Sequence, residues 1–115
     1  MSKSKRRGTA WESAIVTFLR ESYFPHAERR TLSGANDRGD IAGVIGVCIE
    51  AKDQARHSLA EWWGEAVKER DNSGSAIGVV WFKRRGKASA RDGYVLMDGA
   101  TFVKLLHDGE YGGQE

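Results

Sequence analysis

Two apolar runs separated by one glycine, residues 40–45 and 47–53 around Gly46, constrain the fold more than any other stretch of this chain. Both have strand composition, and a glycine between them makes a hairpin the natural connection. Strand side chains alternate between faces, so Val47, Ile49 and Ala51 point one way and Cys48, Glu50 and Lys52 the other. A glutamate and a lysine thus stand side by side on a strand otherwise fit for burial, where charges need a partner, a metal or water. With the turn centred on Ile45 and Gly46 in the left-handed position, residue 43 faces 47 and residue 40 faces 50. Directly opposed residues share a face, so Asp40, Glu50 and Lys52 converge. Ile41, Gly43 and Ile45 then pack on the other side beside Val47 and Ile49, a register that the apolar pattern supports.

The rest of the chain reads around this hairpin. Thr9-Ala-Trp-Glu12 has the form of a capping box, and Trp11, Ala14, Ile15, Phe18 and Leu19 follow as one helical stripe that ends near Ser22, before Pro25. Residues 26–32 are extended, and residues 33–39 are turn-rich. Ser58-Leu-Ala-Glu61 is a second capping box, opening a helix with Leu59, Trp62, Trp63, Ala66 and Val67 on one face and Gly74 at its end. Residues 76–82 form a buried strand, 83–93 a basic loop and 94–97 another strand. Asp98 caps a last helix carrying Phe102, Leu105 and Leu106. The order is helix, three strands, helix, two strands, helix: an α/β sandwich with a mixed central sheet of about five strands flanked by helices. Residues 1–7 are expected as a flexible basic arm, 8–109 as a single domain and 110–115 as a loose tail.

A chain of 115 residues suits one domain with one core. No run is long enough to span a membrane, and the basic start lacks the apolar stretch of a secretory signal. Cys48 is the only cysteine, which excludes an internal disulfide and a cysteine zinc cluster. The expected setting is intracellular, the cytoplasm or nucleoid of a prokaryotic or virus-infected cell. A net charge of +2 neither demands nor excludes nucleic acid, but its distribution says more. Basic residues cluster at Lys3, Lys5, Arg6 and Arg7, at Arg29 and Arg30 with Arg38, and at Lys83, Arg84 and Arg85 with Lys87 and Arg91. Such clusters can neutralise phosphates or can be solvated tail and loop.

Two carboxylates on adjacent strands form an oxygen site for a hard cation such as Mg²⁺ or Mn²⁺. An ion there can polarise a phosphodiester and lower the pKa of a bound water, while the adjacent Lys52 ammonium favours an anionic phosphorane or orients the water. An ion pair at a surface strand end is the alternative for the same three residues.

Asp40, nine residues, and then Glu50-Ala-Lys52 resembles the signature of the PD-(D/E)XK nuclease superfamily, with Gly39 where proline is usual. Lys5-Arg-Arg-Gly-Thr-Ala-Trp-Glu12 is similar to the opening of archaeal-type Holliday-junction resolvases. Arg29 followed by Ser33-Gly34, then Gly39-Asp40-Ile41 and Ile49-Glu-Ala-Lys52, continue the likeness over residues 5–53. Beyond residue 53 only the order of elements is shared. The resemblance implies a restriction endonuclease-like fold and a Mg²⁺-dependent endodeoxyribonuclease that cleaves branched DNA, the four-way junction, as a homodimer without an organic cofactor. It implies Asp40 and Glu50 as metal ligands, Glu12 as a helper ligand, Lys52 as the catalytic lysine, and Arg29 and Ser33 at the scissile region.

Each residue also has a plainer role. Glu12 can close its capping box, and Ser33 can stabilise its own turn. Gln54 can touch a phosphate or end a solvated strand. Arg29 and Arg30 alternate faces, and the resemblance favours Arg29 for DNA, with Lys5, Arg6, Arg7, Arg38, Arg84 and Arg85 as further phosphate contacts. His26, His57 and His107 show no ligand spacing, Cys48 has no activating neighbour, and Trp62 and Trp63 read as core. A flap- or duplex-cutting nuclease, or a nuclease fold kept only for DNA binding, are the competing readings.

Overall fold

The computed structural model describes residues 2–30 and 37–113. Its elements are α1 (Lys3–Ser22), β1 (Glu28–Arg29), β2 (Ile41–Ala42), β3 (Val47–Lys52), α2 (Leu59–Ser73), β4 (Ile77–Phe82), a 3-10 turn (Ala90–Asp92), β5 (Tyr94–Leu96) and α3 (Gly99–Asp108). The strands form one sheet in chain order, β1-β2-β3-β4-β5. Only β3 and β4 run parallel, because α2 carries the chain back along the sheet between them; the other neighbours are antiparallel. This is the expected mixed five-stranded α/β architecture.

One pair of the expected register is present, Ile41 with Ile49; Asp40 lies just before β2, its amide donating to the Ile49 carbonyl. Gly46 is left-handed, with φ 85°. The first arm is much shorter than residues 40–45, however. Gly43 has φ 93°, and a side chain there would strike the His26 carbonyl, so the chain turns after Ala42 where it passes β1. The break upsets strict alternation. Val44 packs against the core, whereas Ile45, expected inside, is fully exposed.

The first helix also departs from expectation. It starts at Lys3 rather than after Thr9, with the Ser2 hydroxyl accepting from the Lys5 amide at 3.2 Å. Lysine and arginine are good helix formers and serine is a good cap, so most of the stretch expected as an arm is a turn and more of helix. Glu12 therefore lies mid-helix and closes no capping box. Ser58 does precede α2, but its side chain makes no capping bond; Gly74, left-handed at φ 70°, ends that helix as expected. Asp98 caps α3, accepting from the Thr101 amide at 2.9 Å. Beyond α3 the amides of Glu110 and Tyr111 donate back to the carbonyls of His107 and Leu106, so the start of the expected loose tail is folded onto the helix end.

The two faces of the sheet bury separate clusters. On one, Trp11, Ile15 and Leu19 of α1 pack on Ile41, Ile49 and Val79. The Trp11 indole donates to the Trp81 carbonyl at 3.0 Å and fixes the helix over the sheet. On the other, Trp62 and Ala66 of α2 pack on Val80 and Phe82. Glu50 aligns with Val80 and Lys52 with Phe82, so the charged face of β3 is the one that α2 covers. No helix among the described residues is long and apolar enough to cross a membrane.

Candidate functional site

Asp40 is held by backbone and side chain together. Its amide donates to the Ile49 carbonyl at 2.9 Å, and its carbonyl accepts from the Arg30 amide at 2.8 Å. One carboxylate oxygen accepts from the Ala51 amide at 2.8 Å, which anchors the side chain against β3 beside Glu50. Glu50 itself is buried, with only 6% exposed. Asp40, Glu50 and Lys52 line one cavity.

Glu12 reaches the same place from α1. Its Oε1 accepts from the Arg29 Nε at 3.0 Å, so Arg29, expected at the DNA, first positions a carboxylate. Burial raises the Glu12 pKa; the Arg29 hydrogen bond opposes this, and the nearby Asp40 charge adds to it. A cavity of about 380 Å³ collects Glu12, Asp40, Glu50 and Lys52, together with Arg7 and Gln54.

Lys52 is not free within this cavity. Its Nζ lies 2.7 Å from Glu65 Oε2 on α2. Burial works against the charged form, but the Glu65 hydrogen bond and the charges of Glu50, Glu65 and Asp40 outweigh it and leave the pKa raised. Lys52 is therefore a held ammonium, suited to stabilising negative charge rather than to accepting a proton.

Two residues that sequence reasoning did not single out complete the acidic centre. Asp37, Glu50 and Glu69 each offer a carboxylate oxygen within 4.8 Å of the others, and the trio can hold a metal ion. Glu69 is 5% exposed, and Oε2 of both Glu50 and Glu69 is buried and meets no N–H or hydroxyl donor, so these carboxyls can bond only to one another by sharing a proton. Burial, then hydrogen bonding to Glu69 and Asp40 and their charges, drive the Glu50 pKa far above the usual carboxylate range. Burial also raises Glu69, to about 7, despite the opposing hydrogen bond to Glu50. Glu69 had a legible signal. It continues the helical face of Trp62 and Ala66, where a carboxylate is out of place. Asp37, in a loop, had none.

The basic residues divide. Arg7 and Gln54 line both the acidic cavity and an adjoining cleft of about 320 Å³, which also contains Lys83, Arg84 and Arg85. The Arg84 guanidinium lies 4.8 Å from the Tyr94 ring centroid. Lys5 and Arg6 are exposed on α1 and Arg38 is exposed in its loop, and none of the three lines either cavity. Ser33 lies outside the described residues. His57 is exposed, lies against the Trp62 and Phe82 rings and lines the basic cleft; Cys48 is buried, which pushes its thiol up to about 11.

The donors fit a hard cation: all are carboxylate oxygens, and two are buried and meet no N–H donor. Comparison with protein-family models, with curated proteins and with solved structures gives no match.

Proposed function

We propose that this chain is a divalent-cation-dependent endodeoxyribonuclease of the PD-(D/E)XK kind, which cleaves branched DNA as a Holliday-junction resolvase. One observation carries the reading. Glu12, Asp40, Glu50 and Lys52 share a cavity that has Arg7, Asp53 and Gln54 in common with a cleft containing Lys83, Arg84 and Arg85. A carboxylate centre needs such a neighbour if it is to act on a polyanion, because phosphates must be drawn toward negative charge.

Asp40 and Glu50, with Glu12 beside them, would hold Mg²⁺ or Mn²⁺. Bound there, the ion would supply Lewis acidity toward the phosphodiester and would lower the pKa of a water. The remaining roles belong to the protein. Arg29 holds Glu12 in position, and the Ala51 amide holds Asp40. Lys52 presents an ammonium to the charge that grows on phosphorus, exchanging its Glu65 partner for the phosphate. Arg7, Arg84 and Arg85 grip flanking phosphates, contacts that orient DNA without reading its sequence, so recognition follows branch shape. A junction is cut on two strands symmetrically, which calls for a homodimer. Exposed Phe102 and Val103 on α3 and Val95 on β5 offer apolar surface for the second copy.

The test is a panel of labelled four-way junction, flap and linear duplex with Mg²⁺ or Mn²⁺. Paired nicks in the junction are expected, and Lys52→Ala and Glu50→Gln should each lower the rate by at least about 100-fold. Full activity in either variant refutes the site. Equal cutting of duplex and junction refutes the resolvase assignment, and DNA binding without cleavage or cation binding would leave a binding module.

A further inference from the structure

We infer that the cleft beside the acidic cavity takes one unpaired nucleotide of DNA, with its base against His57 and its phosphate among Arg7, Lys83 and Arg85. The inference rests on the reading of the chain as a nuclease for branched DNA, and it names what tells a branch from plain duplex at this site. The cleft, about 320 Å³, is at the small end of the range for organic ligands, roughly 300–1,000 Å³. Its walls are of three kinds: the cations, an exposed ring at His57, and hydrogen-bonding groups at Asp53 and Gln54. Cations alone would serve a duplex backbone, whereas a ring and a carboxylate serve a base.

The ring has a fixed backing. The His57 centroid lies 5.6 Å from that of Trp62 and 5.0 Å from that of Phe82. Trp62 and Phe82 are both buried, so the exposed imidazole rests on side chains held by the core. Tyr94, which pairs with Phe82 across β4 and β5, extends the layer at 5.8 Å and carries the Arg84 guanidinium over its own ring. Stacking surface and cations are thus parts of one wall. Asp53 is the residue that a site for phosphate alone does not explain, since its carboxylate repels phosphate. Its Oδ2 lies 3.9 Å from the Lys83 Nζ, beyond hydrogen-bond length, which leaves it open to another donor. The exocyclic amino group of cytosine or adenine is such a donor, and the Gln54 amide beside it can donate or accept. Bases in a duplex are stacked and paired, so only an unpaired nucleotide offers face and edge together. Arg7, Asp53 and Gln54 also line the acidic cavity, which places that nucleotide next to the bond to be cut.

The experiment measures binding of the full chain, with chelator present so that nothing is cut, to fluorescent single strands of about eight nucleotides, all cytosine or all thymine, and to a blunt duplex. The wild-type protein should prefer cytosine, whose amino group thymine lacks, by about threefold or more, and Asp53→Asn should abolish the preference. His57→Ala should weaken both single strands by at least about tenfold and leave the duplex unchanged, while His57→Phe, which keeps a ring, should restore single-strand binding. His57 is exposed, so these variants test the cleft without disturbing the core. Single-strand binding by His57→Ala equal to wild type overturns the inference. So does a loss in His57→Ala that is equal for single strand and duplex and is not restored by phenylalanine, which would mark a charged patch only. If these binding differences hold while the junction is never cut in Mg²⁺ or Mn²⁺, the nuclease reading falls and the nucleotide cleft stands.

Discussion

Gly39 illustrates how one residue can carry a whole approach to the site. It has φ 92°, a conformation closed to proline, whose ring holds φ near −65°. The proline usual in the signature that the sequence resembles is thus sterically excluded from this backbone. A Cβ at Gly39 would also lie 2.8 Å from the Cys48 sulfur. Gly39→Ala should therefore cost about 1–3 kcal/mol in urea unfolding, and it should disturb Asp40 next door. A midpoint unchanged from wild type would show that the loop relaxes freely. Glu12 makes a related point. Its helix placement was legible from the stripe of apolar residues around it, but its partner was not, because Arg29 reaches it only once β1 has docked beside β2.

At the scale of elements, the hairpin separates what alternation can and cannot say. The pairing of Ile41 with Ile49 follows from matching apolar faces across a glycine turn, and the Ile49 carbonyl and Ala51 amide then hold Asp40 near Glu50. The fate of Ile45 does not follow, since it depends on Gly43 turning away beneath His26. The two isoleucines should respond oppositely to substitution. Ile41→Ala removes a side chain that is 1% exposed and should cost about 2–5 kcal/mol, whereas Ile45→Lys should change stability by no more than about 0.5 kcal/mol. Chemical denaturation of the two variants checks this, and a large loss in Ile45→Lys would contradict the hairpin described here. The early start of α1 has a similar origin: a serine cap before a basic run favours helix, so the basic residues from Lys3 on belong to its first turns.

For the whole molecule, the buried acids couple stability to pH and to cations. The folded pKa values of Glu50 and Glu69 lie above the ordinary 4.5. Folding therefore favours their protonated forms. The stability this contributes is fully present below pH 4.5 and is lost as pH rises through the folded values, about 7 for Glu69. Protein treated with a chelator should melt at a lower temperature at pH 8 than at pH 5. Millimolar Mn²⁺ should narrow the gap, because an ion bound only by the folded state adds its binding free energy to stability. A chelated protein equally stable at both pH values would remove the buried acids as the cause.

The amino-acid order by itself determined the α/β layering, the hairpin register and the convergence of Asp40, Glu50 and Lys52, because strand alternation and glycine turns act between near neighbours. Only the tertiary structure decided that Asp37 and Glu69 join Glu50, that Glu65 holds Lys52 and that Arg29 holds Glu12. Those meetings depend on how α1, α2 and the loop before β2 pack on the sheet, and packing brings together residues that no local periodicity relates.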